Sequence, residues 1–164
     1  MTTYYAIGGG LGHARRAQRV LEALAIRDAE IITTDDVPRD LERNREAHRA
    51  WLLERFHDHV IIDTFPAGIQ GELAGIENIT FDYVARLLRW DEYRSAVPFQ
   101  APRFRTTHIV EELTKEHAAF VQANSDQVQP LPLRPTGHDP QCHPERVAGG
   151  CEGSPADRAC LVLP

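Results

Sequence analysis

The sequence predicts an α/β fold. The expected architecture is a Rossmann-like, mainly parallel sheet with helices on both faces, in one domain over residues 1–130 followed by an irregular tail over 131–164. Three observations carry that expectation. Short β-rich apolar runs alternate with amphipathic helical patterns. The first run, Tyr4-Tyr5-Ala6-Ile7, feeds directly into a turn with glycine at positions 8, 9, 10 and 12, and a helical pattern follows at once. Beyond Gln127 the alternation stops, and Pro130, Pro132, Pro135, Pro140, Pro144 and Pro155 punctuate a stretch that also holds Gly137, Gly149, Gly150 and Gly153. Such a composition supports no packed core and reads as an extended tail or linker.

Taken in order, Tyr4 to Ile7 predicts the first strand. Ala14, Ala17, Val20, Leu21 and Leu24 fall on one helical face and predict a helix over residues 14–26. Glu30 to Thr34, ending at Asp35-Asp36, predicts a second strand. From Arg39 to His57, Arg and Glu interleave around Leu41, Ala47, Ala50, Trp51 and Phe56. Pairs three apart, Glu42–Arg45 and Glu46–Arg49, support an exposed helix there by a few tenths of a kcal/mol each. His59-Val60-Ile61-Ile62-Asp63 is a β-rich run stopped by a carboxylate, and Thr64 to Gly68 is its turn. Ile79, Phe81 and Tyr83 alternate as in a strand, although Phe81, Val84, Ala85 and Leu88 also fit helical spacing. A helix over 87–93, a strand over 107–110 and a helix carrying Val110, Leu113, Phe120 and Val121 complete the domain.

Composition bounds the function. With 164 residues, 42% hydrophobic and 26% charged, the chain has the make-up of an ordinary globular domain. A formal net charge of −6 argues against a nucleic-acid binder built on bulk electrostatics. No apolar stretch approaches the ~18–20 residues of a membrane span, and no basic segment leads an apolar core at the start, so a cytoplasmic protein is the expectation. The three cysteines, Cys142, Cys151 and Cys160, all fall in the tail and form no disulfide framework for the body of the protein.

The glycine turn invites two readings. Glycine lets the backbone approach a ligand closely, and a helix N-terminus presents unpaired N–H groups with partial positive charge. The dinucleotide pattern G-x-G-x-x-G is incomplete here. From Gly8 its third glycine falls on His13, and from Gly10 on Arg15. Asp35 or Asp36 stands where a ribose-binding acid belongs, so a non-catalytic Rossmann-like module for a nucleotide or NAD(P) is the alternative reading.

The segment Gly8-Gly9-Gly10-Leu11-Gly12-His13 resembles the first loop of GT-B glycosyltransferases, in which a glycine-rich turn ends in a His at the start of the first helix. Val60-Ile61-Ile62-Asp63-Thr64-Phe65-Pro66 is similar to the strand that ends in the Asp partner of the catalytic His in the UDP-sugar branch of that family. The resemblance spans residues 3–130. It implies an acceptor-side domain, with His13 and Asp63 as the catalytic pair and Gly9, Gly10 and Gly12 as substrate-binding residues; apart from the resemblance, Glu72 and Arg86 read as side chains able to bind an acceptor's polar groups. The reaction implied is sugar transfer from a nucleotide-sugar donor to a hydroxyl acceptor, with no metal and no bound cofactor. GT-B enzymes hold the donor in a second domain, and no second α/β pattern follows residue 130. The expectation is therefore a truncated enzyme, or one subunit of a split enzyme whose partner is a separate donor-binding subunit.

The roles also follow from the residues. An acceptor hydroxyl needs a base within hydrogen-bond reach. A helix N-terminus disfavours the imidazolium form and leaves a neutral ring able to take a proton, while a carboxylate on the other ring nitrogen would fix the tautomer. The competing reading makes His13 a capping histidine, Asp63 a strand-end acid, and Glu72 and Arg86 ordinary ion-pair residues. Arg15, Arg16 and Arg19 read as solvated. His57 and His59, alternating around Asp58, lack a third ligand for zinc. The tail group of His138, Asp139, Cys142, His143 and Cys151 lacks the close cysteine pairs of structural zinc sites.

Overall fold

The computed structural model describes residues 1–8, 12–41 and 43–133. Within them the chain runs β1 (Thr2–Ala6), α1 (Gly12–Ala23), β2 (Ala29–Thr33), two short 3-10 turns (Thr34–Asp36 and Arg39–Leu41), α2 (Arg45–Leu53) and β3 (His59–Asp63). It continues through β4 (Thr80–Ala85), α3 (Trp90–Ala96), β5 (Phe104–Ile109), α4 (Lys115–Asn124) and β6 (Ser125–Pro130). The six strands form one sheet in the order β2-β1-β3-β4-β5-β6, and every neighbouring pair is parallel. This is the doubly wound α/β architecture that the strand–helix alternation predicts.

Period-two alternation splits the core between the two faces of the sheet. Tyr4, Ala6, Ile61 and Val84 pack with Ala17, Val20 and Leu21 of α1 on one face. On the other, Tyr5, Ile7, Ile62 and Tyr83 pack with Leu52 of α2 and Val121 of α4. An aromatic cluster of Trp90, Tyr93, Phe99 and Phe120 ties α3 to α4. No helix among the described residues is long and apolar enough to cross a membrane.

Boundaries differ from expectation where local hydrogen bonding overrides periodicity. Helix α1 closes at Ala23, short of Ile26. Ala25 adopts a left-handed φ of 56°, its N–H donates to Glu22 O (3.0 Å), and Ile26 N–H donates to Leu21 O (2.9 Å). This is a Schellman closure made by alanine where glycine is usual. The helix expected at 87–93 begins at Trp90, with Asp91 and Glu92 in its first turn. Val110 and Leu113 precede α4, because the Thr114 side chain caps that helix by accepting from His117 N–H. Strand β6 was not expected. Its sequence, Ser-Asp-Gln-Val-Gln-Pro, has one strongly apolar residue, as an edge strand allows, and Pro130 stands at its end. Chain order extends slightly past residue 130: Leu131 N–H donates to Ile109 O (2.8 Å), and one compact unit spans Met1–Arg134. The rest of the expected tail lies outside the described residues, as do Gly9 and Gly10.

Candidate functional site

Strand order reverses between β1 and β3: β1 leads outward to β2 on one side, and β3 leads outward to β4, β5 and β6 on the other. In an open parallel sheet the two chains leaving such a point diverge to opposite faces and leave a crevice at the carboxyl ends of the strands. Here the crevice has a volume of about 550 Å³, and Gly8, His13, Thr64, Phe65, Arg86 and Tyr93 are among the residues that line it.

Gly8, two residues past β1, has φ +150°, and a Cβ there would come within 2.9 Å of Cε1 and Nε2 of His13. The glycine therefore makes the room in which the imidazole sits. The Thr34 hydroxyl, just past β2, accepts from Gly8 N–H (3.0 Å) and donates to Gly8 O (2.9 Å), which locks the start of the loop. Gly12 opens α1, and a Cβ added to it would meet nothing within 4 Å.

A row of three side chains runs back from His13, which lines the crevice, to the buried Asp63. The Arg16 guanidinium donates from Nε to Asp63 Oδ2 (3.0 Å) and from its NH2 nitrogen to His13 Nδ1 (2.7 Å). Asp63 has a fully buried side chain, and its other oxygen accepts from the Thr64 hydroxyl (2.8 Å). A guanidinium can only donate, so His13 Nδ1 is an acceptor and the neutral ring carries its proton on Nε2. His13 and Asp63 thus meet through Arg16, a residue that the sequence reading treats as solvated. The available signal was its spacing: Arg16 lies three residues after His13, on the same helical face. Tyr4 stands beside this row. Burial, and then the Asp63 charge, push its phenol pKa well above the ordinary value, so it stays protonated.

The segment after Asp63 is held by tyrosines. Thr64 is left-handed (φ 73°), a strained conformation for a β-branched residue, and Tyr83 donates to its carbonyl (2.8 Å). Tyr93 OH accepts from Ala67 N–H (2.9 Å) and donates to Gly68 O (2.8 Å). This fixes Phe65, whose ring lies 5.4 Å from that of Tyr93, as a wall of the crevice.

Of the other residues singled out in the sequence, Arg86 lines the crevice. Its guanidinium pairs with Glu111 Oε1 (Nε at 3.1 Å, the NH2 nitrogen at 2.5 Å). Partial burial works against the Glu111 carboxylate, but the Arg86 and Leu87 N–H donors outweigh it and hold the pKa below the usual range. Glu72 lies elsewhere, fully buried on the α2 side of the sheet. It accepts from Tyr5 OH (2.6 Å), Gln70 N–H (2.8 Å) and Ile69 N–H (3.3 Å). There it organises the turn beyond Phe65 and lines no part of the crevice. Asp36 accepts from both the N–H and the hydroxyl of Thr33 (2.8 Å each) and so closes a capping box. His59 bonds to Asp82 (2.8 Å). No group of three metal-ligating side chains occurs among the described residues.

The fold and crevice define a doubly wound α/β domain with a polar row at its topological switch point. No family model matches the chain, and no curated protein or solved structure shows a significant match.

Proposed function

We propose that this chain is the acceptor-side domain of a glycosyltransferase of the GT-B kind. It takes a hydroxylated acceptor into the β1/β3 crevice for sugar transfer from a nucleotide sugar held by a separate donor-binding domain or subunit. The observation that supports this most is the His13–Arg16–Asp63 row that starts at the crevice wall with His13. It puts an imidazole at the mouth of a largely preformed cavity, with a buried carboxylate behind it.

In the transfer, the acceptor oxygen gives its proton to His13 Nε2 and forms a bond to the anomeric carbon. The sugar–phosphate bond breaks, and the nucleoside diphosphate leaves with the electron pair. Nε2 must then start unprotonated, which requires the ring proton on Nδ1. Arg16 holds Nδ1 in the opposite state, so the guanidinium has to leave His13 as the acceptor binds. Asp63 then stabilises the Nδ1–H tautomer from behind.

The tautomer is therefore the test. Side-chain 15N NMR of His13 is expected to read Nε2–H in the free protein. On titration with octyl β-glucoside it is expected to move to Nδ1–H, with shifts at Phe65 and Tyr93. Binding of NAD(P) alone, with the glucoside leaving His13 untouched, would overturn the reading in favour of a nucleotide-binding module. The commitment of Asp36 to its capping box counts against that module.

A further inference from the structure

One buried histidine is not in the crevice but bears on it. His117 of α4 is fully buried, stacked on Trp90 with ring centroids 4.3 Å apart and 9° between planes. Its Nε2 lies 3.0 Å from the Tyr83 phenol oxygen, and its Nδ1 has no hydrogen-bond partner among the described residues.

The proton positions are determined by elimination. Tyr83 OH lies 2.8 Å from Thr64 O, an acceptor with no proton of its own, so the phenol proton must point there. His117 then has to donate from Nε2 to the phenol oxygen, and its bare Nδ1 lone pair faces the aromatic cluster. Burial drives the imidazole pKa down to about 4, which keeps the ring neutral.

The linkage continues to the site. Thr64 N–H donates to Val84 O (3.2 Å), its carbonyl accepts from Tyr83, and its hydroxyl donates to Asp63 Oδ1. These three hydrogen bonds hold a β-branched residue in the left-handed region, where strain of about 1–3 kcal/mol has to be offset by its surroundings. Asp63 in turn seats Arg16, and Arg16 seats His13.

We propose that His117 is a positioning residue for the crevice: by donating to Tyr83 it commits the phenol proton to Thr64, and so holds the strained turn that orients Asp63, Arg16 and Phe65. The proposal rests on the β1/β3 crevice being the ligand site, although the first of its two readouts needs no ligand.

The experiment compares Tyr83→Phe, His117→Leu and His117→Gln with the wild type. The first readout is the NMR resonances of the Thr64 amide and the Arg16 Nε–H. The second is the dissociation constant for octyl β-glucoside. Tyr83→Phe and His117→Leu are expected to displace both resonances and to weaken the glucoside roughly tenfold, the effect of one lost neutral hydrogen bond. His117→Gln restores a donor near the Nε2 position and is expected to return both readouts to within about twofold of wild type. A His117→Leu protein with wild-type Thr64 and Arg16 resonances would overturn the proposal, whatever its melting temperature. So would His117→Gln behaving no better than His117→Leu. Failure of the wild type to bind the glucoside would count against the proposed function alone, and the resonances would still decide the role of His117.

Discussion

Arg16 and Asp63 form a 3.0 Å ion pair between the first turn of α1 and the end of β3, with the carboxylate end fully buried and the guanidinium end 16% exposed. It links the two chain segments that diverge at the crevice, and its geometry leads to the first prediction.

Replacing Arg16 with Ala leaves the Asp63 charge buried with the Thr64 hydroxyl and the Tyr4 phenol near it but no cation paired to it among the described residues. Breaking such a pair costs about 2–4 kcal/mol, to be read as a lower urea midpoint at an unchanged slope. Arg16→Lys is expected to recover little, because one ammonium cannot reproduce the fixed fork that serves both His13 and Asp63. Adding Asp63→Asn to Arg16→Ala should return part of the loss by removing the unpaired charge.

Gly8→Ala tests the room made for the imidazole. The new Cβ would press on Cε1 and Nε2 of His13 at 2.9 Å and on the Phe65 ring at 3.2 Å. The His13 ring is expected to move, and binding of the glucoside to fall at least tenfold, with a stability loss of about 1–2 kcal/mol from the strained backbone. Titration calorimetry and thermal unfolding separate the two effects.

Glu72 and Gly68 form a structural pair. Glu72→Gln turns one acceptor oxygen into a donor amide facing the N–H of Gln70, or the Tyr5 phenol and Ile69 N–H. The expected cost is about 1–3 kcal/mol. Gly68→Ala places a Cβ onto the Glu72 carboxylate at a φ of +83° and is expected to cost more than Glu72→Gln. Both are measured by chemical unfolding, and neither is expected to change the His13 tautomer in the protein that remains folded.

Stability is expected to fall with acidity in two stages. His117, with a folded pKa lowered by burial to about 4, is neutral in the fold and protonates near 6.5 once unfolded. The unfolded state therefore binds the extra proton between those values. The contribution of His117, on the order of 3 kcal/mol, is fully present above pH 6.5 and is lost as pH falls towards 4. Burial pushes His48 and His108 in the same direction. Asp82 acts at lower pH. Burial works against its charge, but hydrogen bonds from His59 and Arg105 outweigh this and hold its pKa below 3.8. Its contribution is present above that value and disappears as pH drops through the lowered pKa. Unfolding free energies measured from pH 7 to 3 should show both stages, and His117→Gln should flatten the first.

The sequence carried the fold further than it carried the site. β3 runs from His59 to Asp63 as its apolar run indicates, because a parallel strand buried on both faces is written as continuous Val and Ile. β6 was hidden, since an edge strand needs few apolar residues. The early close of α1 was hidden too, since Ala25 in the left-handed region carries no glycine to mark it. At the crevice, strand-end position brought His13, Asp63 and Arg86 to one rim. Periodicity says nothing about which partner a long side chain selects. Arg16 reads as one more charge on a helix, and Glu72 as one more surface acid, until the fold brings Asp63 and Tyr5 to meet them.

The place of β1 between β2 and β3 governs the order in which the molecule can be built during translation. Thr2 to Ala6 pair with residues 29–33 on one side, but Thr2 to Tyr5 await residues 59–62 on the other. A nascent chain that has released residues 1–50 can form the β1–β2 pair with α1 against it, and still presents the opposite edge of β1 as a row of unpaired N–H and C=O groups. At synthesis rates of ~5–20 residues per second that edge stands open for seconds. The crevice takes shape only when β3 docks and ends the exposure.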